Sequence, residues 1–402
     1  MTGGNPFEEK LRPRFEYADL YTFVENKVKP VYNWFYYKEG FGRDFVWNTL
    51  EELKIPGGAT VLDPFCGTGT TLLASKEMGM KSIGFDILPL GVFVSRVKLR
   101  DYDLPLLEEA VRHVTGLRYS EPRTKLVDIR FLDMRRVYTP FASNDIAFFR
   151  ERILEVQDEA HRDFLLLGLL SIVSQASNVM KDGGVLKLVR KRHLPPVRVL
   201  LSNKLKRMLR DLKTLDRGLR TDWRVDVGDA RDVPLEDGSV DCVVTSPPYL
   251  NFVDYTRVYA LELSLLVSSA RDLETLRRRS MRSHVGAEYD GGGSDVGDIL
   301  GRVTKTGGDV KVPQVVEGYL RDLYLALSEN HRVLKDGGYA VYVVGNASLP
   351  GVTVDVDLMV AEMGERLGFK VEDIWVGGVR WAGVHGIEKE RPARESAVVL
   401  RK

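Results

Sequence analysis

The stretch from Ala59 to Asp86 constrains the fold more than any other part of the chain. Ala59-Thr60-Val61-Leu62-Asp63 is a short, partly β-branched run that ends in Pro64-Phe65-Cys66-Gly67-Thr68-Gly69-Thr70-Thr71. Leu72 to Met78 then reads as a helix, and Lys81 to Asp86 as a second strand. Strand, glycine-rich turn, helix and strand make a βαβ unit, which implies a parallel sheet in an α/β fold.

Later strand-like runs extend the sheet. Val225 to Asp229 and Ser239 to Thr245 come first, the second running into Ser246-Pro247-Pro248-Tyr249. Tyr319 to Leu334 has helical spacing, Lys335-Asp336-Gly337-Gly338 is its stop, and Tyr339 to Val344 is a β-branched strand. Phe369 to Trp375 and Ser396 to Leu400 complete the series. Neither block holds enough strands for a full sheet, so the mainly helical stretch between them reads as an insertion. The expected organisation is 1–100 for the first half of the α/β domain, 101–221 for the helical insertion as candidate substrate-recognition region, and 222–402 for the second half.

Composition narrows the class. At 44% hydrophobic and 29% charged over 402 residues, the chain can bury a large core, which excludes disorder and a collagen-like chain. The 58 basic and 57 acidic side chains nearly cancel, which argues against a protein that coats nucleic acid uniformly. Charge is local instead: Lys187 to Arg220 holds twelve Lys or Arg against Asp211 and Asp216, and Arg277-Arg278-Arg279 with Arg282 forms a second cluster. Gly291-Gly292-Gly293-Ser294 follows and is expected to be mobile. The only cysteines, Cys66 and Cys242, cannot build a disulfide framework or a cysteine-rich zinc site. The histidines lack metal-ligand spacing, so no metal is expected; His385, in a glycine setting, reads as structural. The N-terminus has no apolar signal stretch, and Phe164 to Val173 is too short to span a bilayer, so a cytoplasmic location is expected. Three Gln and ten Asn among many charges suggest a thermophilic source.

Two motifs carry chemistry. The turn at Gly67 and Gly69 brings backbone close to a bound nucleotide, and Asp86, ending the second strand, is placed to bind ribose hydroxyls. Gly67-Thr68-Gly69 lacks the third glycine of a dinucleotide fingerprint, and no Gly-Lys-Ser/Thr phosphate loop exists. Taken alone, the turn also suits any α/β protein. In Ser246-Pro247-Pro248-Tyr249 the prolines remove two amide donors and leave carbonyl acceptors, a setting that prefers a donor such as a nucleobase amine, with an aromatic ring for stacking. Alone it also reads as a rigid loop.

Together, Asp63-Pro64-Phe65-Cys66-Gly67-Thr68-Gly69-Thr70-Thr71 and Ser246-Pro247-Pro248-Tyr249 resemble the S-adenosylmethionine-dependent amino-methyltransferases, which methylate N4 of cytosine or N6 of adenine in nucleic acids. Asp86 and the segment Val227-Gly228-Asp229-Ala230-Arg231, similar to the family's adenine-side segment, extend the likeness. It implies a Rossmann-like methyltransferase fold, mostly parallel with an antiparallel C-terminal strand. It also implies S-adenosylmethionine as cofactor, bound by Asp63, Pro64, Phe65, Gly67, Gly69, Thr70, Thr71, Asp86, Asp229 and Ala230, with catalysis at Ser246, Pro247, Pro248 and Tyr249. The serine leans toward N4-cytosine. By the same likeness Tyr32, Asn33 and Trp34 line the methionine end of the pocket, although so aromatic a segment also reads as core. Cofactor motif before catalytic motif departs from the commonest restriction–modification order. The whole resembles an archaeal group of RNA-directed N4-cytosine methyltransferases, including those of small-subunit ribosomal RNA. The implied partner is thus RNA in preference to DNA, held by the basic window 187–220 and by Arg277 to Arg282. A DNA N4-cytosine methyltransferase, an N6-adenine enzyme and an inactive nucleic-acid-binding relative are the alternatives.

Overall fold

The computed structural model describes residues 5–214, 220–251, 253–284, 286–288, 296–297, 299, 304–305, 314–349, 352–382 and 391–402. The strands are β1 (Leu11–Pro13), β2 (Thr60–Asp63), β3 (Lys81–Asp86), β4 (Val179–Asp182), β5 (Val185–Leu188), β6 (Trp223–Val227) and β7 (Val240–Thr245), then β8 (Thr304–Lys305), β9 (Leu334–Gly345), β10 (Ala347–Leu349), β11 (Val352–Val354), β12 (Lys370–Ala382) and β13 (Arg391–Arg401). Eight form the main sheet in the order β6-β3-β2-β7-β9-β13-β12-β1. The run from β6 through β9 is parallel, whereas β13 lies antiparallel to both β9 and β12. This is the Rossmann-like arrangement with an antiparallel C-terminal strand.

The centre of the sheet is apolar on both faces, as strands covered by helices on each side must be. In β2, Val61 faces one layer with Phe45, Val46 and Leu50 of helix α1 (Arg43–Glu52), while Leu62 faces the other with Leu320, Leu323 and Leu327. Helix α2 (Thr70–Glu77) follows the glycine loop, and helix α3 (Pro89–Leu99) follows β3. Gly69 caps α2 in the left-handed region, at φ +80, and any Cβ there would lie 2.7 Å from Ser95 Oγ of α3. Only glycine meets both demands.

Residues 101–221 contain α4 (Leu104–Gly116), α5 (Met134–Val137), α6 (Pro140–Leu154), α7 (Glu159–Leu170) and α8 (Val197–Thr214), with the antiparallel hairpin β4–β5 between α7 and α8. Helix α8 buries Val197, Leu201, Leu205, Met208, Leu209 and Leu212, a stripe of helical period. It packs closely on α7, where a Cβ on Gly168 would sit 2.5 Å from Leu205 Cδ2. Trp34 is edge-on to Phe164 at 5.4 Å, and the core of this region is continuous with α3. The helices after it are α9 (Tyr255–Val258), α10 (Ala260–Leu266), α11 (Ala270–Arg279), α12 (Gln314–Val333) and α13 (Val356–Arg366).

Several elements differ from the sequence reading. The strand expected at 225–229 occupies 223–227, because Gly228 turns against Phe85, where a Cβ would approach to 2.8 Å. Strand β9 begins directly after α12, so Lys335 to Gly338 starts a strand as well as stopping the helix. The last two strands extend well past the apolar runs that signalled them. Gly291 to Ser294 and His385 lie outside the described residues.

Candidate active site

The C-terminal ends of β2, β3 and β7 open onto one cavity of about 420 Å³. It sits where the chain, having run from β2 to β3, returns to the other side of β2 with β7, the topological switch point where α/β sheets bind ligands. Among the expected residues, Asp63, Pro64, Phe65, Gly67, Thr70, Asp86, Asp229, Ala230 and all of Ser246 to Tyr249 line it. Motifs far apart in sequence therefore share one wall.

Asp86 organises the glycine loop. Its two carboxylate oxygens accept the Gly67 and Leu88 amides, each at 2.8 Å. Each oxygen retains a lone pair that can accept a ribose hydroxyl. The loop carbonyls are held from behind: Ser95 Oγ donates to Gly67 O at 3.0 Å and Lys98 Nζ to Thr68 O at 2.9 Å. Asp63 accepts Thr245 Oγ1 at 2.6 Å, Thr71 Oγ1 at 2.7 Å and the Phe65 amide at 3.1 Å. Burial pushes both carboxyls up to about 6, against hydrogen bonds that pull them down. Burial likewise pushes the Lys98 ammonium down to about 7.

Tyr37 covers the loop; a Cβ on Gly67 would lie 3.2 Å from its Cε1, and its ring stacks on Tyr259 at 4.9 Å. Beside it, Glu39 receives the Tyr259 hydroxyl at 2.5 Å through Oε2, while the buried Oε1 accepts no hydrogen bond and lies 3.7 Å from Lys38 Nζ. An acidic pair of oxygens at Asp86, acceptor capacity at Glu39 Oε1 and backbone without Cβ at Gly67 suit a nucleoside carrying hydroxyls and an ammonium, so the lining fits S-adenosylmethionine.

Ser246 Oγ donates to Val343 O at 3.1 Å. A hydroxyl has one proton to give, so what remains toward a ligand is acceptor capacity. Tyr249 reaches Glu395 Oε1 at 3.1 Å and lies so close to Gly345 that a Cβ there would meet its ring at 2.9 Å. Asp229 is clamped by Arg231, whose Nε and terminal nitrogen donate at 2.9 and 2.7 Å, and Arg231 also reaches the buried Asp322 at 3.0 Å. Burial and the Asp86 carboxylate push the Cys66 thiol well above its ordinary range, which removes it as a nucleophile.

Tyr32, Asn33 and Trp34 do not line the cavity. Tyr32 donates to Glu77 at 3.0 Å, Trp34 Nε1 to Asp211 at 2.9 Å, and Asn33 O receives Lys204 at 3.3 Å. The aromatic run turns inward to the core, and its continuation, Tyr37 to Phe41, reaches the cavity instead. Gly69 and Thr71 act from behind the wall, as helix cap and as support for Asp63. The sequence reading missed Glu39, Glu395, Ser283, His284, Gly183 and Gly184, all of which line the cavity, and it did not place Ser280 and Met281 there.

The basic window divides. Arg198 donates to Thr115 O at 2.7 Å, Lys191 to Ser174 O at 2.9 Å, and Lys213 pairs with Glu108 at 2.5 Å. Lys206, Arg207 and Arg210 of α8 are exposed together on one face, and Arg217 lies outside the described residues. In the second cluster Arg277 is held by Asp254 at 2.6 Å and Arg282 by Asp322 at 2.6 Å, which leaves Arg278 and Arg279 exposed.

Residues 19–89 match the family model described as DNA methylase, the N6/N4 group. The chain is 27% identical over 445 aligned positions to the type II methyltransferase M.BsoBI of Geobacillus stearothermophilus, covering 95% of this chain and 86% of the relative. It is 26% identical to the type II methyltransferase M.AvaI of Nostoc, over 98% and 92%. A shorter match, 34% over 105 positions, links it to the type II methyltransferase M.MjaII of Methanocaldococcus jannaschii, covering 26% of this chain and 20% of the relative. Sheet order, strand-end cavity and these matches define a Rossmann-like S-adenosylmethionine-dependent methyltransferase. Within that class, residues 19–89 are similar to the N6/N4 DNA methylase group, and the relatives over most of the chain are named type II methyltransferases. The expected likeness to RNA-directed enzymes draws no support from them, nor does an archaeal or thermophilic source. The DNA alternative fits them better. No helix among the described residues is long and apolar enough to cross a membrane.

Proposed function

We propose that the protein methylates the exocyclic N4 amine of cytosine in duplex DNA, in the manner of a restriction–modification methyltransferase. The observation that carries the reading is the commitment of the Ser246 proton to Val343 O, on the wall shared with Asp86. The DNA methylase match and the type II relatives support DNA over RNA as the substrate.

Cytosine N4 is a weak nucleophile because its lone pair is delocalised into the ring. When bound, S-adenosylmethionine supplies an electrophilic methyl group on its sulfonium. Ser246 Oγ and the Pro247 carbonyl accept the two amine hydrogens, which favours a pyramidal nitrogen with its lone pair free. Pro247 and Pro248 bring no amide donors to compete for that amine. Tyr249 offers its ring as a stacking surface for the base, which has to leave the duplex to arrive here at a cost of a few kcal/mol. Rate comes from positioning and from fixed acceptors, with no covalent adduct, consistent with buried, protonated Cys66, and the proton that N4 sheds after methylation passes to water.

Incubating the protein with S-adenosylmethionine and a duplex library, then digesting to nucleosides for mass spectrometry, tests the reading. N4-methyl- or N4,N4-dimethyldeoxycytidine is expected. N6-methyladenine would transfer the site to the adenine branch, and methylation of RNA alone would restore the RNA reading.

A further inference from the structure

The hairpin β4–β5 belongs to the insertion, yet its turn reaches the active-site cavity. Gly183 and Gly184 line it, Lys38 Nζ donates to Gly183 O, and a Cβ on Gly184 would lie 2.6 Å from Val253 Cγ2. One face of the hairpin is anchored. Val179 is buried, Leu186 and Leu188 pack on the core, and Lys181 pairs with Glu262 at 2.8 Å while its ammonium sits 3.8 Å over the Tyr259 ring. The cross-strand pairs of the other face, Met180 with Lys187 and Asp182 with Val185, leave four side chains each about half exposed, with Lys187 and Asp182 ion-paired to each other along the row. Arg190 and Arg192, just beyond β5, are exposed as well.

We propose that this hairpin is the element that reads the bases flanking the target, its outward face lying in the major groove of the duplex. The proposal rests on the duplex-DNA reading above. A two-stranded β-ribbon fits the major groove, whereas the minor groove is too narrow for it. The outward row carries the chemistries that distinguish base edges there: a cation in Lys187 for guanine and an acceptor in Asp182 for the cytosine amine, which exchange their mutual ion pair for the base edges on docking, and apolar surface in Met180 and Val185 for the thymine methyl group. Arg190 and Arg192 supply charge for the adjoining phosphates, which fixes register without reading sequence. Because the turn borders the cavity, the ribbon reads positions next to the base that enters it.

The test uses the full chain. Wild type, Lys187→Ala and the double variant Met180→Ala/Val185→Ala are given S-adenosylmethionine and a duplex library randomised around cytosine, and rates are resolved by flanking sequence. These side chains are exposed, so the fold should persist, and calorimetry with S-adenosylmethionine alone verifies an intact cofactor site. The expected result is a change of about tenfold or more in the preference ratio at one or two flanking positions, with cofactor affinity unchanged. A wild-type flanking profile in both variants, or a uniform slowing across all sequences, would overturn the assignment while leaving the proposed function standing. A wild-type protein that modifies no duplex would defeat both.

Discussion

Asp86 bears the most at the scale of single residues, because it holds the glycine loop and faces the cavity at once. Asp86→Ala should weaken S-adenosylmethionine binding at least about tenfold, the order of one charge-assisted hydrogen bond, as read by calorimetry. Unchanged affinity would remove Asp86 from the cofactor site. Its protonation has a direction too. Asp63 and Asp86 titrate near 6 in the fold against an ordinary value of 3.8. Between those values the folded chain binds more protons than the unfolded one, so ligand-free stability should fall as pH rises from about 4 to 6. Urea midpoints across that range should show a shallower fall for Asp86→Asn; an identical slope would contradict the assignment. Ser246→Ala should slow methyl transfer at saturating DNA, and Tyr249→Ala should cost about 1–3 kcal/mol in base engagement, both with cofactor affinity retained. Equal loss of cofactor binding in either variant would refute the division of labour. These residues were legible because each sits in a short motif whose backbone and side-chain demands are local. Glu39 and Glu395 were not, since each reaches the cavity from a separate element and belongs to no motif.

At the scale of elements, the glycine loop depends on α3 behind it, where buried Lys98 donates to Thr68 O. Burial, with Lys204 nearby, holds its ammonium down to about 7 against an ordinary 10.5, so the unfolded chain binds the extra proton between those values. Stability should therefore rise with pH from about 7 to 10, with Lys204, lowered to about 8, adding the same sign. Lys98→Met should flatten that rise in thermal melts at pH 7 and 9.5, and loosen cofactor binding through the loop; a slope as steep as wild type would count against it. Strands β2, β3 and β7 could be read from sequence because they are central, apolar and closed by turn residues. The hairpin β4–β5 escaped notice because its eight strand residues mix apolar and charged side chains without a period of two and only one face is packed. Trp34 was misplaced for a similar reason: an aromatic run shows that something is buried, not whether a core or a ligand covers it.

The whole molecule joins two functions through one core. The sheet brings the glycine loop and the Ser246 to Tyr249 turn to one cavity, and from residues 101–221 the hairpin turn at Gly183 and Gly184 joins them. If the exposed face of α8 meets phosphates, changing Lys206, Arg207 and Arg210 to Glu should weaken DNA binding and flatten its salt dependence, leaving cofactor affinity intact. A salt slope equal to wild type would mean that this face is only solvated. Fold class and cofactor class followed from motif chemistry, which sequence displays directly. The choice between DNA and RNA did not, because charge on a helix attracts either phosphate backbone alike. The product decides the central claim. Nucleoside mass spectrometry of duplex DNA treated with the protein and S-adenosylmethionine should show N4-methylated deoxycytidine, lost or strongly reduced with Ser246→Ala. Recovery of 5-methyldeoxycytidine would contradict the account, because ring-carbon methylation needs a covalent thiolate adduct that buried Cys66 and Cys242 cannot form.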